Sequence, residues 1–172
     1  SRIIAAKIDT TVRVNANALP TAQVSVLVFK DHAPINNIFD QGEQGIAGAT
    51  ILIFDIGGQM STDFCGYPLG SVYPVGHSDC DIPPTTMGTG VILTDANGVA
   101  HIKNLTPGKY GIRAVPPGAP ATYVQTSTIE GTPGIDAWVQ ANEPPMFIEG
   151  FGTGFYHAFI GFVMPAELPW AA

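Results

Sequence analysis

Two stretches of the chain gather side chains able to do chemistry. The first runs Lys30-Asp31-His32-Ala33-Pro34-Ile35-Asn36-Asn37-Ile38-Phe39-Asp40-Gln41-Gly42-Glu43. Asp31, Asn36, Asp40 and Glu43 are oxygen donors within one short loop, and Ca²⁺ takes about six to eight such oxygens, so a calcium-holding loop is one reading. The other is a polar hairpin whose Asp and Asn side chains cap its own turns. The alternation of an EF-hand loop is not met. The second stretch holds both cysteines, Cys65 and Cys80, with His77, Asp79 and Asp81 beside them. Cys65 and Cys80 can close a disulfide, stay as thiols, or join His77 as zinc ligands, although no tight C-x-x-C pair supports zinc. Nucleophilic catalysis finds no G-x-S-x-G elbow, phosphate loop or H-E-x-x-H. His32, His77, His101 and His157 are dispersed along the chain.

The elements that must position these residues read as strands. Pro and Gly interrupt nearly every window long enough for a helix, and Val, Ile, Thr and Phe dominate between them. Expected strands are Ile3–Ile8, Thr11–Asn15, Ala22–Phe29, Thr50–Asp55, Gly90–Thr94, Ala100–Leu105, Gly108–Ala114, Tyr123–Ile129 and Phe155–Val163. In Ala22–Phe29, Val24, Val26 and Val28 share one face, with Ser25 and Leu27 on the other. Asp95-Ala96-Asn97-Gly98 and Thr106-Pro107-Gly108 are tight-turn sequences between apolar runs. Repeated strands with such turns point to an antiparallel sandwich. Two segments exceed a minimal sandwich: Gly57 to Thr89, which contains both cysteines, and Glu130 to Gly154. Long loops of this kind inside a domain are usually functional or tied down.

Composition limits the partners. The 172 residues carry 7 Lys+Arg against 14 Asp+Glu, a net charge of −7, and the basic residues form no stripe. Nucleic acid is therefore not an expected partner. Mean hydropathy of +0.22 with only 12% charged residues points to apolar surface covered by a neighbouring domain or subunit. The apolar stretches are about half the length of a spanning helix, so no membrane span is expected. The start at Ser1 reads as a mature protein or an excised piece of a longer one. In the tail, Phe155, His157 and Phe159 alternate with Tyr156, Ala158, Ile160 and Phe162, apolar on both faces. Such a strand is either a final core strand or an interface. Phe151, Phe155, Phe159 and Phe162 are the interface candidates.

The order VFKD…NNIFDQGEQGIAGATILIFD followed by TDANGVAHIKNLTPGKYGIRAVPPG resembles the B-type repeats of Gram-positive serine-aspartate-repeat surface proteins (SdrD B-like domains). Their pattern is a strand, a D-x-N-x-N-G-x-x-D-x-G-E-x-G-I-x-G loop and a second strand, then a T-D-x-x-G hairpin ending in P-G-x-Y. That hairpin is also similar to those of collagen-adhesin B-type (Cna B-like) and carboxypeptidase-regulatory-like domains. The resemblance covers Ala22–Gly118. It implies a prealbumin-like Greek-key sandwich serving as a stalk or spacer, with structural Ca²⁺ held by Asp31, Asn36, Asp40 and Glu43. Here the loop is one residue longer, and Ala33, Pro34 and Ile35 stand where the family has its first Asn and Gly. Some collagen-adhesin domains carry a Lys–Asn crosslink assisted by a buried Glu. Ile112-Arg113-Ala114 offers no such carboxylate to Lys7 or Lys30. In a surface domain of this kind, Cys65 and Cys80 read first as a disulfide.

The expectation is thus a single all-β Greek-key domain over 1–172, with no enzymatic activity. It divides into an N-terminal strand or linker (1–21), a family-like core (22–118) with its insertion (57–89), and C-terminal strands with an interface segment (119–172). The expected role is a structural or interaction module of a bacterial secreted or cell-surface protein. Its partners would be neighbouring domains, identical subunits, a host or matrix protein, or a glycan. One alternative is a subunit of a self-assembling filament or sheath. The other is a carbohydrate-binding module using Tyr67, Tyr73 or Trp138.

Overall fold

Val24, Val26 and Val28 all lie in the core, as their period of two requires, and Ser25, Leu27 and Phe29 on the opposite face are buried as well. A strand covered on both sides belongs at the centre of a sheet, and that is where this one sits. The computed structural model describes residues 21–32, 35, 38–74, 80–118, 122–127, 133–141, 147–148 and 154–167. Their strands are β1 (Ala22–Lys30), β2 (Thr50–Asp55), β3 (Gly58–Gln59), β4 (Ile92–Leu93), β5 (Val99–Leu105), β6 (Gly108–Val115), β7 (Val124–Gln125), β8 (Ile135–Val139), β9 (Phe147–Ile148), β10 (Gly154–Phe155) and β11 (Ala158–Val163). A 3₁₀ turn follows at Pro165–Glu167, and no α-helix occurs among the described residues.

Two sheets face each other. One has the order β5-β1-β11-β7; the other has β3-β2-β6-β8, with β4 also pairing β2, while β9 and β10 form a separate ribbon. The core between them is built from Val24, Val26, Val28, Ile51, Ile53, Ile102, Leu105, Ile112 and Ile160, among others. The two-sheet all-β sandwich is the one the sequence implies. One ladder departs from antiparallel pairing: β1 and β11 run parallel, in register from Val26↔Ala158 to Lys30↔Phe162.

Element boundaries differ in places. Gly90–Thr94 shortens to Ile92–Leu93, and Tyr123–Ile129 to Val124–Gln125. Phe155–Val163 is interrupted at Tyr156 and His157. The stretch Glu130 to Gly154, read as a loop, contains β8, whose Ala137 and Val139 are buried while Asp136 and Trp138 face out. The expected strands Ile3–Ile8 and Thr11–Asn15 lie outside the described residues.

Candidate functional site: a strand clamp and the loops that brace it

The sheet centred on β1 and β11 brings together most of the singled-out residues. Just ahead of the parallel ladder, His157 faces Ser25. The Ser25 amide donates to His157 Nδ1 at 3.1 Å, Ser25 Oγ lies 3.0 Å from the same nitrogen, and the His157 amide donates to Ser25 Oγ at 3.2 Å. Accepting from an amide requires Nδ1 to be unprotonated, so this geometry assigns the proton of a neutral ring to Nε2. Ser25 is fully buried, which makes the pair a clasp and not an accessible nucleophile. At the other end of β1, the Asp31 amide donates to the Phe162 carbonyl at 2.8 Å, and Thr126 Oγ1 donates to Asp31 Oδ2 at 2.7 Å. The start of the β1–β11 seam is therefore fastened by side chains, while at its far end the backbone bond to Phe162 extends the ladder and the Asp31 carboxylate reaches past β11 to Thr126.

The loop after β1 covers the outer face of that seam. Phe39 packs edge-on against Phe29 with ring centroids 5.3 Å apart. Glu43 is only 7% exposed. Its Oε2 accepts from the His32 amide at 2.7 Å and its Oε1 from the Asp40 amide at 2.8 Å. One carboxylate thus draws the two ends of the loop together. The two resembling motifs meet directly: the Val28 amide donates to the Gly98 carbonyl, and the Ile46 amide to the Val28 carbonyl, both at 2.8 Å. Gly98 has φ +79°, and a side chain there would collide with the Val28 carbonyl, so the Asn-Gly turn is required by close approach as well as by conformation.

The four residues expected to hold calcium are engaged or placed as follows. Glu43 already accepts two amides, Asp31 is turned toward Thr126, and Asn36 lies outside the described residues. Asp40 Oδ2 is buried without a hydrogen-bond partner among the described residues. No three metal-ligating side chains converge among the described residues.

The insertion is tied down. Cys65 and Cys80 form a disulfide with their Cα atoms 5.2 Å apart, which removes zinc ligation by these thiols. His77 and Asp79 lie outside the described residues. Asp63 organises the turn before the bridge: its Oδ1 accepts from the amides of Cys65 (2.9 Å) and Tyr67 (3.1 Å), and its Oδ2 from the Tyr73 hydroxyl (2.5 Å). Burial, with Asp63 as acceptor, raises the Tyr73 pKa above the usual tyrosine range. The Phe64 amide then donates to the Asn104 carbonyl of β5 at 2.6 Å, docking the insertion on that strand. Tyr110, the last residue of the P-G-x-Y motif, is buried and donates its hydroxyl to the Thr106 carbonyl. Burial raises its pKa.

Of the interface candidates, Phe162 is core and packs edge-on to Tyr123, and Phe159 is half-buried against Tyr156. Phe155 lies in β10, and Phe151 is outside the described residues. Sequence reading missed the Ser25–His157 clasp, because partners so far apart leave no local pattern. It also missed Asp63, although an Asp ahead of a Gly66 turn is a legible Asx-turn signal.

No family model matches the chain, and no curated protein matches it. Among solved structures it is similar to the minor pilin GBS52 of Streptococcus agalactiae, at 11% identity and TM-score 0.42, covering 86% of this chain and 44% of that one. It is also similar to the major pilin SpaD of Corynebacterium diphtheriae (16% identity, TM-score 0.37, 87% and 34% covered). A third is the shaft pilin SpaA of Lactobacillus rhamnosus GG (12%, 0.39, 87% and 49%). The chain spans less than half the length of each. Likeness of this degree carries no argument about fold or role. No described helix is long and apolar enough to cross a membrane.

Proposed function

We propose that the chain is a structural module of a bacterial secreted or cell-surface protein, a spacer that holds tension along its strands. The observation that carries this reading is the parallel pairing of β1 with β11. In a parallel pair the start of one strand and the end of the other lie at opposite poles. A pull between a neighbour attached before β1 and another attached after β11 therefore runs along the seam. It loads all of the ladder's hydrogen bonds in shear at once, where an edge strand would unzip bond by bond. β1 is also paired with β5 on its other side, so it cannot slide without breaking a second ladder. The Ser25–His157 contacts pin the start of the seam, and the Asp31 amide, bonded to the Phe162 carbonyl, extends it at the far end. The disulfide suits an oxidising, extracellular setting, and the motif resemblance supports a surface protein. Nothing in this reading requires turnover of a substrate.

Single-molecule pulling between the ends of the chain tests it. One cooperative high-force rupture is expected, because forced unfolding reports the barrier for leaving the native state. Gradual extension at low force would refute it.

A further inference from the structure

The outer face of the second sheet carries a glycine that the fold does not explain. Gly111 sits in the middle of β6, between Phe54 of β2 and Asp136 of β8 in cross-strand register. A side chain there would meet only the Phe54 Cβ, at an ordinary 3.8 Å, and the backbone has no positive φ. An interior glycine weakens a strand and often marks a bulge, a bend, or a site where a ligand or another backbone approaches closely. Gly111 lines a cleft of about 450 Å³ together with Phe54, Asp55, Ile56, Lys109 and Tyr110. Beside the cleft, in register with Lys109, stands Trp138, 71% exposed. Lys109 Nζ lies 5.6 Å from the indole centroid and 3.3 Å from Asp136 Oδ2, so the ring is flanked by an ion pair.

From the geometry we infer that this face binds an uncharged oligosaccharide, one sugar packed on the exposed part of the Trp138 indole that Lys109 leaves uncovered and its neighbour seated over Gly111. The exposed indole and Ile56 offer flat apolar surface to the carbon-bound hydrogens of a pyranose. Lys109, Asp136 and Asp55 offer a donor and acceptors for hydroxyls at the rim. Charge narrows the ligand class. Asp55 and Asp136 are balanced on this face by Lys109 and, two residues beyond Gly111 on the same side of β6, Arg113, so neither an anion nor a cation is favoured; Lys109 is already engaged with the ring and with Asp136. From β2 to β8 the sheet spans two strand spacings, roughly 10 Å, close to the length of a disaccharide. Tyr67 and Tyr73 take no part, since they pack on one another and Tyr73 donates to Asp63.

The test titrates the whole chain with cellotetraose, chitotetraose and mannotetraose, read by calorimetry and tryptophan emission. Saturable binding of at least one is expected. Gly111→Val should weaken it at least roughly tenfold while the melting midpoint stays level or rises, because a β-branched residue suits the strand. Trp138→Ala should abolish binding with folding intact. If Gly111→Val does not fold, Gly111→Ala serves in its place. No saturable binding of any of the three, or undiminished binding in the glycine variant, would overturn the proposal. The face lies on the opposite sheet from the β1–β11 seam, so this result and the pulling result stand independently.

Discussion

Replacing Glu43 separates a self-closed loop from a metal-closed one. Its carboxylate accepts two backbone amides, from His32 and Asp40, while being almost fully buried. A hydrogen bond to a charged acceptor contributes about 1.5–3 kcal/mol. The His32 residue is exposed, so water recovers part of what its amide loses. Glu43→Ala should therefore destabilise the fold by about 2–4 kcal/mol, lowering the melting midpoint by roughly 5–15 °C for a chain of this size. Glu43→Gln keeps one acceptor and turns an NH₂ toward the other amide, so about half of that loss is expected. Urea unfolding with an unchanged slope would assign the effect to stability, and faster amide exchange at His32 and Asp40 would locate it. Millimolar calcium against chelator should leave the wild-type midpoint in place, since a ligand of the folded state must raise it. Loss of less than ~0.5 kcal/mol in Glu43→Ala, or a calcium-dependent rise abolished by Asp40→Ala, would refute the self-closed loop.

Three further outcomes follow from the same geometry. Reducing Cys65–Cys80, which lie 15 residues apart, should cost about 3 kcal/mol through the freedom returned to the unfolded chain, seen as a lower midpoint in reductant. Tyr110→Phe should lose about 1 kcal/mol by leaving the Thr106 carbonyl without its donor, measured by urea unfolding. Partial desolvation of an otherwise exposed ring, then Lys103, lowers the His101 pKa from 6.5, with Asp95 opposing. The unfolded chain therefore takes the proton first as pH falls. Stability should decline from about pH 6.5 downward until the folded-state pKa is passed, and His101→Gln should flatten that slope in unfolding midpoints measured across the range.

The strands were legible where alternation and turn chemistry agree. Val24, Val26 and Val28 and the Asn97-Gly98 turn give β1, β5 and β6 nearly to the residue. β8 was missed because Pro133 and Gly134 dominate its approach, although Ile135, Ala137 and Val139 alternate with Asp136 and Trp138 in the expected way. The break at Tyr156 and His157 was hidden because a continuous apolar run masks a residue turned aside to bond Ser25. Parallel pairing of β1 with β11 is a long-range choice that no local window encodes. The oxygen-rich loop was recognised as a unit, yet its carboxylates face backbone amides and Thr126, an arrangement that depends on which groups the fold brings near.

The most direct measurement compares the force needed to break one molecule along two axes. Handles placed before β1 and after β11 load the seam in shear, while handles at Thr21 and Thr106 peel β5 from β1 at their paired ends, where Ala22 faces Leu105. The tension-bearing account predicts a clearly higher rupture force along the first axis, reduced by Ser25→Ala. Equal forces on the two axes, or a weaker first axis, would contradict it.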